Sequence, residues 1–274
     1  MRISMVMLIF RKDWREIRRN WQILLPMVAI PFLISVVLPT LIIVIPGLSS
    51  TSTYPVEDAT AMIRNLPSNV RQELAGMTPW QVLIYVMALY FFAPFFLIIP
   101  IMASSVIASD SFAGEKERKT IEALLATPIS DSELLLGKAL VSFVLAMTVT
   151  VASFAIYAIV IDFFSFPVFQ GKLLFPNLSW TILILGVAPT VALTGIGLTI
   201  MISARAKGFR EAQQISGILL LPVLMMIFGQ ISGVIVFGPI VLLALVAIFA
   251  LVDLFVFYLG VKLFRRERIL SRLP

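Results

Sequence analysis

The stretch AQQISGILLLPVLMMIFGQISGVIVFGPIVLLALVAIFALV, residues 212–252, carries no Asp, Glu, Lys or Arg. As one helix rising 1.5 Å per residue it would be about 60 Å long, twice the roughly 30 Å of a bilayer's hydrocarbon layer. It must cross twice. Gly229, Gly233 and the Gly238-Pro239 pair supply the break, since glycine and proline are the strongest interruptions of a helical pattern. Four further uncharged runs precede it, Trp21 to Pro46, Trp80 to Ser109, Ala139 to Ile161 and Ser179 to Ala204. The expected fold is an all-α membrane protein with six transmembrane helices over residues 21–46, 80–109, 139–161, 179–204, 212–230 and 239–261, in a single domain, 1–274, without internal repeat.

Composition agrees. The 274 residues are 60% hydrophobic and 13% charged, against about 45–50% and about 25% in soluble domains. The chain has no Cys and no His, which excludes disulfide frameworks, thiolate or imidazole metal sites and the catalytic chemistries built on those side chains. No metal ligand set and no catalytic residue is expected.

Lys and Arg divide unevenly among the loops. Eighteen of the 21 fall in the N-terminal segment, the second-to-third loop, the fourth-to-fifth loop and the C-terminus; only Arg64, Arg71 and Lys172 lie on the other side. Cytoplasmic loops carry the positive excess, so a multi-pass protein of the cell membrane with both termini cytoplasmic is expected. The basic balance then faces anionic membrane lipid and a cytosolic partner rather than nucleic acid. The first span begins too late, and behind too much charge, for a removable signal peptide.

Before the first span, Ile3, Met7, Phe10, Trp14 and Ile17 recur at the helical period, with Arg11, Lys12, Arg15, Arg18 and Arg19 between them. Residues 1–20 thus read as an amphipathic helix lying in the membrane interface, or alternatively as a solvated basic flank.

The most polar stretch is residues 110–138, DSFAGEKERKTIEALLATPISDSELLLGK. Propensity favours a short helix at Thr120–Leu125, stopped before Pro128. Ser130 with Glu133 three residues on forms a capping box, which starts a second helix at Asp131 that runs on into the third span. The result is a short exposed knob on two short tethers, the shape a protein needs to receive force from a cytosolic partner. The alternative is a solvated linker whose charges pair along a helix.

The run Gly114 to Pro128, GEKERKTIEALLATP, with the later Gly137-Lys138, resembles the signature of ABC-2 type transporter permeases. Glu211-Ala212-Gln213, within Ser203 to Gln214, resembles a triplet that such permeases carry before the fifth span. The resemblance extends over essentially the whole chain, with one departure: Lys119 stands where the family usually has glycine.

The resemblance implies a permease subunit, a homodimer or a pair of homologous permeases, working with two copies of a separate ABC ATPase. Glu117, Thr120, Ile121, Glu122, Leu124, Leu125 and Pro128 would form the coupling helix seated in that ATPase, and Arg210, Glu211 and Gln213 a second cytoplasmic contact. Such a protein would couple ATP hydrolysis on its partner to alternating access and substrate export. ATP and Mg would be bound by the ATPase, and no cofactor by this chain. Consistent with that, the chain has no G-x-x-x-x-G-K-[ST] loop: Gly137-Lys138 is followed by Ala139, and the earlier glycine position is Ser132.

Within the spans, Tyr85, Tyr90, Phe92 and Phe95, with Met225 and Gln230, are candidates for a substrate path, or else ordinary packing. Asp253 is the one carboxylate well inside a span, either a proton or cation site or an acid satisfied within the bundle. Gly195 and Gly197 suit close helix approach. Residues 228–239 form a candidate re-entrant hairpin and outer gate, and the outer loop, 47–79, is expected to hold short surface helices near 56–64 and 67–74. Competing readings are an ion-coupled secondary transporter or channel, which Asp253 alone favours, and an intramembrane enzyme, for which no lysine or histidine lies suitably within a span.

Overall fold

The computed structural model describes residues 2–41, 68–120, 129–232 and 236–263. Eight helices, and no strand, occur among the described residues: α1 (Ile3–Ile17), α2 (Trp21–Leu41), α3 (Ser68–Glu73), α4 (Pro79–Glu117), α5 (Asp131–Ser165), α6 (Leu178–Ser203), α7 (Phe209–Ile231) and α8 (Pro239–Leu263). Six of them, α2 and α4 to α8, are long and apolar enough to cross a membrane. Of the short helices expected in the outer loop, the second is present as α3, and 56–64 lies outside the described residues. The hairpin expected at 228–239 includes 233–235, which also lie outside them.

Helix α4 does not stop at Ser109. It continues through Asp110 to Glu117, 39 residues in all, about 58 Å and so well beyond one hydrocarbon thickness. A single-turn π-bulge at Asp110–Gly114 carries it on, and Asp110, Ser111 and Glu115 are buried against neighbouring helices. Helix α5 begins at Asp131 through the expected capping box: Ser130 Oγ accepts from Glu133 N (3.3 Å) and a Glu133 carboxylate oxygen accepts from Ser130 N (3.1 Å). With 35 residues it too exceeds one hydrocarbon thickness.

The core of the opposite end is aromatic. Trp180 packs edge-on to Phe96 (centroids 4.9 Å apart) and stacks with Tyr157 (5.0 Å), with Phe92, Phe154 and Phe175 around them. A π-bulge at Met87–Phe91 and Pro94, which lacks an N–H, disturb the hydrogen-bond ladder of α4 here. Two buried donors reach into that stretch: Tyr157 Oη donates to Ala88 O (2.7 Å) and Trp180 Nε1 to Leu89 O (3.0 Å). Polar side chains on neighbouring helices thus satisfy backbone that lipid could not. Outside this core, Asp162 Oδ1 accepts from Leu174 N (2.8 Å) and Phe175 N (3.2 Å), holding the α5–α6 connection down.

Helices α4 and α6 run side by side in a constant register, marked by the Trp180–Leu89 bond and by Gly195 set against Ser104 and Ile101. A β-carbon on Gly195 would stand 2.6 Å from Ser104 Oγ, and one on Gly197 2.4 Å from Val256 Cγ1 of α8. Glycine is what lets α6 lie this close to both neighbours.

Candidate functional site

The polar ends of α4 and α5, the start of α7 and the whole of α1 meet at one end of the bundle. Helix α1 packs on α5 through Val6, Ile9, Asp13 and Ile17, all buried. Ile9 sits over Gly137, where a β-carbon would come within 2.8 Å of it. The expected apolar stripe of α1 is therefore divided: Ile17 belongs to the protein core, Ile3 and Met7 are exposed, and Phe10 and Trp14 stack on each other with centroids 5.8 Å apart.

Asp13 is carried inward by this docking and meets a buried lysine. Lys138, 0% exposed, places Nζ 2.7 Å from Glu115 Oε2, 3.4 Å from Asp13 Oδ2 and 2.7 Å from Ser111 O. Lys12 pairs with Glu115, with Asp13 (3.1 Å) and with Glu16 (3.6 Å). Arg118 closes the far side, donating to Asp110 Oδ1 and to Glu16 Oε1, each at 2.9 Å. Glu133 binds the start of α1, accepting from Arg2 N at 2.5 Å.

Burial opposes the charge on Lys12, but Asp13 and Glu115 outweigh it and hold the ammonium protonated well above the usual lysine range. Asp13, Glu16 and Glu115 bring oxygens within 4.8 Å of one another. Lys12, Lys138 and Arg118 already meet all three, so the arrangement is an internal lattice of fixed charge joining α1, α4 and α5.

Beyond Arg118 the helix ends in a Schellman turn. Thr120 N donates to Glu115 O (3.0 Å) and Lys119 N to Lys116 O (3.1 Å), while Lys119 adopts the left-handed conformation at φ 58°. That is the helix-ending position that glycine occupies most readily. Thr120 Oγ1 also donates to Glu115 O (3.3 Å).

Of the expected coupling residues, Glu117 and Thr120 are placed here; Ile121, Glu122, Leu124, Leu125 and Pro128 lie outside the described residues. Glu117 reaches the second expected contact: its Oε2 accepts from Phe209 N at 2.9 Å, capping α7 beside Gly208. Lys116 Nζ donates to Ala206 O (3.2 Å), and Glu211 Oε2 accepts from Lys207 N (2.7 Å). Arg210 and Glu211 are exposed and Gln213 is half-buried, all on the helix whose first turn Glu117 caps.

The aromatic candidates separate. Phe92 is core against Tyr157. Tyr85, Tyr90 and Phe95 are half-buried, with Tyr85 donating to Glu73 Oε2 (2.9 Å). Met225 is 73% exposed on α7, and Gln230 is half-buried. Asp253 accepts a hydrogen bond from Thr194 Oγ1 of α6.

Asp13, Asp110 and Lys138 are not among the sequence-predicted site residues; the signals that point to them are Lys138 within the Gly137-Lys138 motif and Asp13 as an acid in an otherwise basic helix.

A family model described as "ABC-2 family transporter protein" matches residues 7–260. No curated protein matches the chain.

Proposed function

The chain belongs to the ABC-2 transporter family, as a multi-pass membrane permease without nucleotide-binding motifs of its own that works with an ABC ATPase subunit, and we propose that its charged end is where that ATPase drives it. In this reading the charged end and both termini are cytoplasmic. Glu117, Thr120, Ile121, Glu122, Leu124, Leu125 and Pro128 make the coupling contact with the ATPase, and Arg210, Glu211 and Gln213 a second one. Two permeases, identical or homologous, pair with two ATPases. ATP and Mg bind the ATPase, and its closure rocks the permeases between inward- and outward-facing states to export substrate.

The observation that carries this is the way the two ends of the 121–128 segment are rooted. One root is the Schellman turn at Lys119, the other the capping box at Ser130. Behind both lies Lys138 between Glu115 and Asp13. A load applied at the segment reaches α4, α5 and α1 together, because ion pairs this deeply buried resist separation. A solvated linker needs no such footing. The Thr194–Asp253 bond gives the intramembrane acid a partner within the bundle, which favours the internally satisfied reading over an ion-coupled carrier.

The test is co-purification of the permease with its ATPase. The parent chain forms a complex of two permeases with two ATPases. Glu122→Arg or Leu125→Arg weakens the association or uncouples transport from hydrolysis. Transport by the purified permease driven by a proton or sodium gradient alone would refute the proposal.

A further inference from the structure

Helix α1 carries more than its docking face. Viewed down its axis, the buried residues Val6, Ile9, Asp13 and Ile17 occupy one side. Ile3, Met7, Phe10 and Trp14 form an adjoining apolar flank, with Ile3 74% and Met7 41% exposed. Opposite the docking face stand Arg11, Arg15 and Arg18, at i, i+4 and i+7, with Arg19 next to them, all exposed. None of these four arginines has an ion-pair partner among the described residues. Every acid of the helix is turned away: Asp13 and Glu16 are spent on Lys138, Lys12 and Arg118. The charges on the outward surface are thus all cationic, with Ser4 and Leu8 (58% exposed) among them and an apolar border beside them, and at its end Trp21, 70% exposed, opens the first span.

We infer that this arginine crest is a docking surface for anionic phospholipid headgroups, and that headgroup binding fixes α1 and, through Asp13, the root of the 121–128 segment. The apolar flank decides between a lipid and an acidic protein. Ile3, Met7 and Trp14 adjoin the crest on the side that would enter the acyl boundary, a pairing suited to a membrane interface and wasted on a water-soluble partner. The phosphate of an anionic headgroup meets guanidinium groups by charge-assisted hydrogen bonds. The link to regulation rests on the coupling role proposed above; the lipid site does not.

The chain has no cysteine, so Met7→Cys gives a single attachment point for a spin label in the full-length permease. The label is followed in nanodiscs of phosphatidylcholine alone and with increasing phosphatidylglycerol. Phosphatidylglycerol should draw it into the acyl boundary, and each arginine replaced by Gln should weaken this response about fivefold. Arg11→Gln/Arg15→Gln/Arg18→Gln should abolish it, and inorganic phosphate should not substitute for the lipid. In the parent, hydrogen exchange at Asp131–Lys138 should slow with phosphatidylglycerol; in the triple variant it should be indifferent to lipid. The ATPase should co-purify equally with both. A label position that is the same in both lipids, a triple variant that keeps the lipid response, or a triple variant that loses the ATPase would each overturn the inference, the last by making the crest a protein contact.

Discussion

Lys138 Nζ lies 2.7 Å from Glu115 Oε2, and the lysine is wholly buried. The pair joins α4, which ends before residues 121–128, to α5, which begins after them. Asp13 makes the link three-sided, since it approaches the same ammonium from α1.

Removing the lysine should therefore be costly. Lys138→Met leaves Glu115 and Asp13 with only Lys12, and is expected to destabilise the permease by about 3 kcal/mol, in the range for breaking a buried pair. Lys138→Met with Glu115→Gln should cost clearly less than the sum of the single changes. Thermal unfolding in detergent checks both, and strict additivity would mean that the two groups do not interact.

Lys119 offers the opposite experiment. Its φ of 58° costs a side-chain-bearing residue about 1 kcal/mol relative to glycine. Lys119→Gly should raise the unfolding midpoint and leave the ATPase complex intact, whereas Lys119→Val should lower it. An unchanged midpoint in both variants would contradict the left-handed turn.

At the aromatic end, Trp180→Phe takes the donor from Leu89 O and also shrinks the buried indole to a single ring. An orphaned buried carbonyl costs about 1–3 kcal/mol, and Tyr157→Phe should act likewise on Ala88 O. The combined variant measures whether the two bonds hold the α4 bulge independently, in which case the losses add.

Much of this was legible beforehand, and the limits have physical causes. The crossing segments are long uncharged runs, and a bilayer imposes their length. The start of α5 was legible too, because Ser130 and Glu133 form a local motif that needs no tertiary partner. The glycine missing at position 119 marked the place where a left-handed residue stands. The ion lattice was not legible, because counting positive charges by loop treats Lys138 as a solvated flank, and its burial depends on α1 folding back over Gly137. The fate of Phe92 was hidden for the same reason: the bulge and the packing of Tyr157 decide which aromatic faces inward, and neither is a property of the local sequence.

Glu117→Ala separates two roles for one residue. Loss of the acceptor for Phe209 N should speed hydrogen exchange at residues 209–213 by a factor of about five, the value of a helix cap near 1 kcal/mol. Glu117→Gln, whose amide oxygen can still accept, should restore most of the protection. If exchange is unaffected in both variants, the carboxylate does not cap α7.

The most direct measurement of the central claim is site-specific cross-linking of the assembled transporter. Leu125→Cys in the cysteine-free chain, paired with a cysteine in the ATPase surface groove, should give a permease–ATPase adduct, and Glu73→Cys beside Tyr85 at the other end of the molecule should give none. An adduct formed from position 73 and not from position 125 would contradict the account.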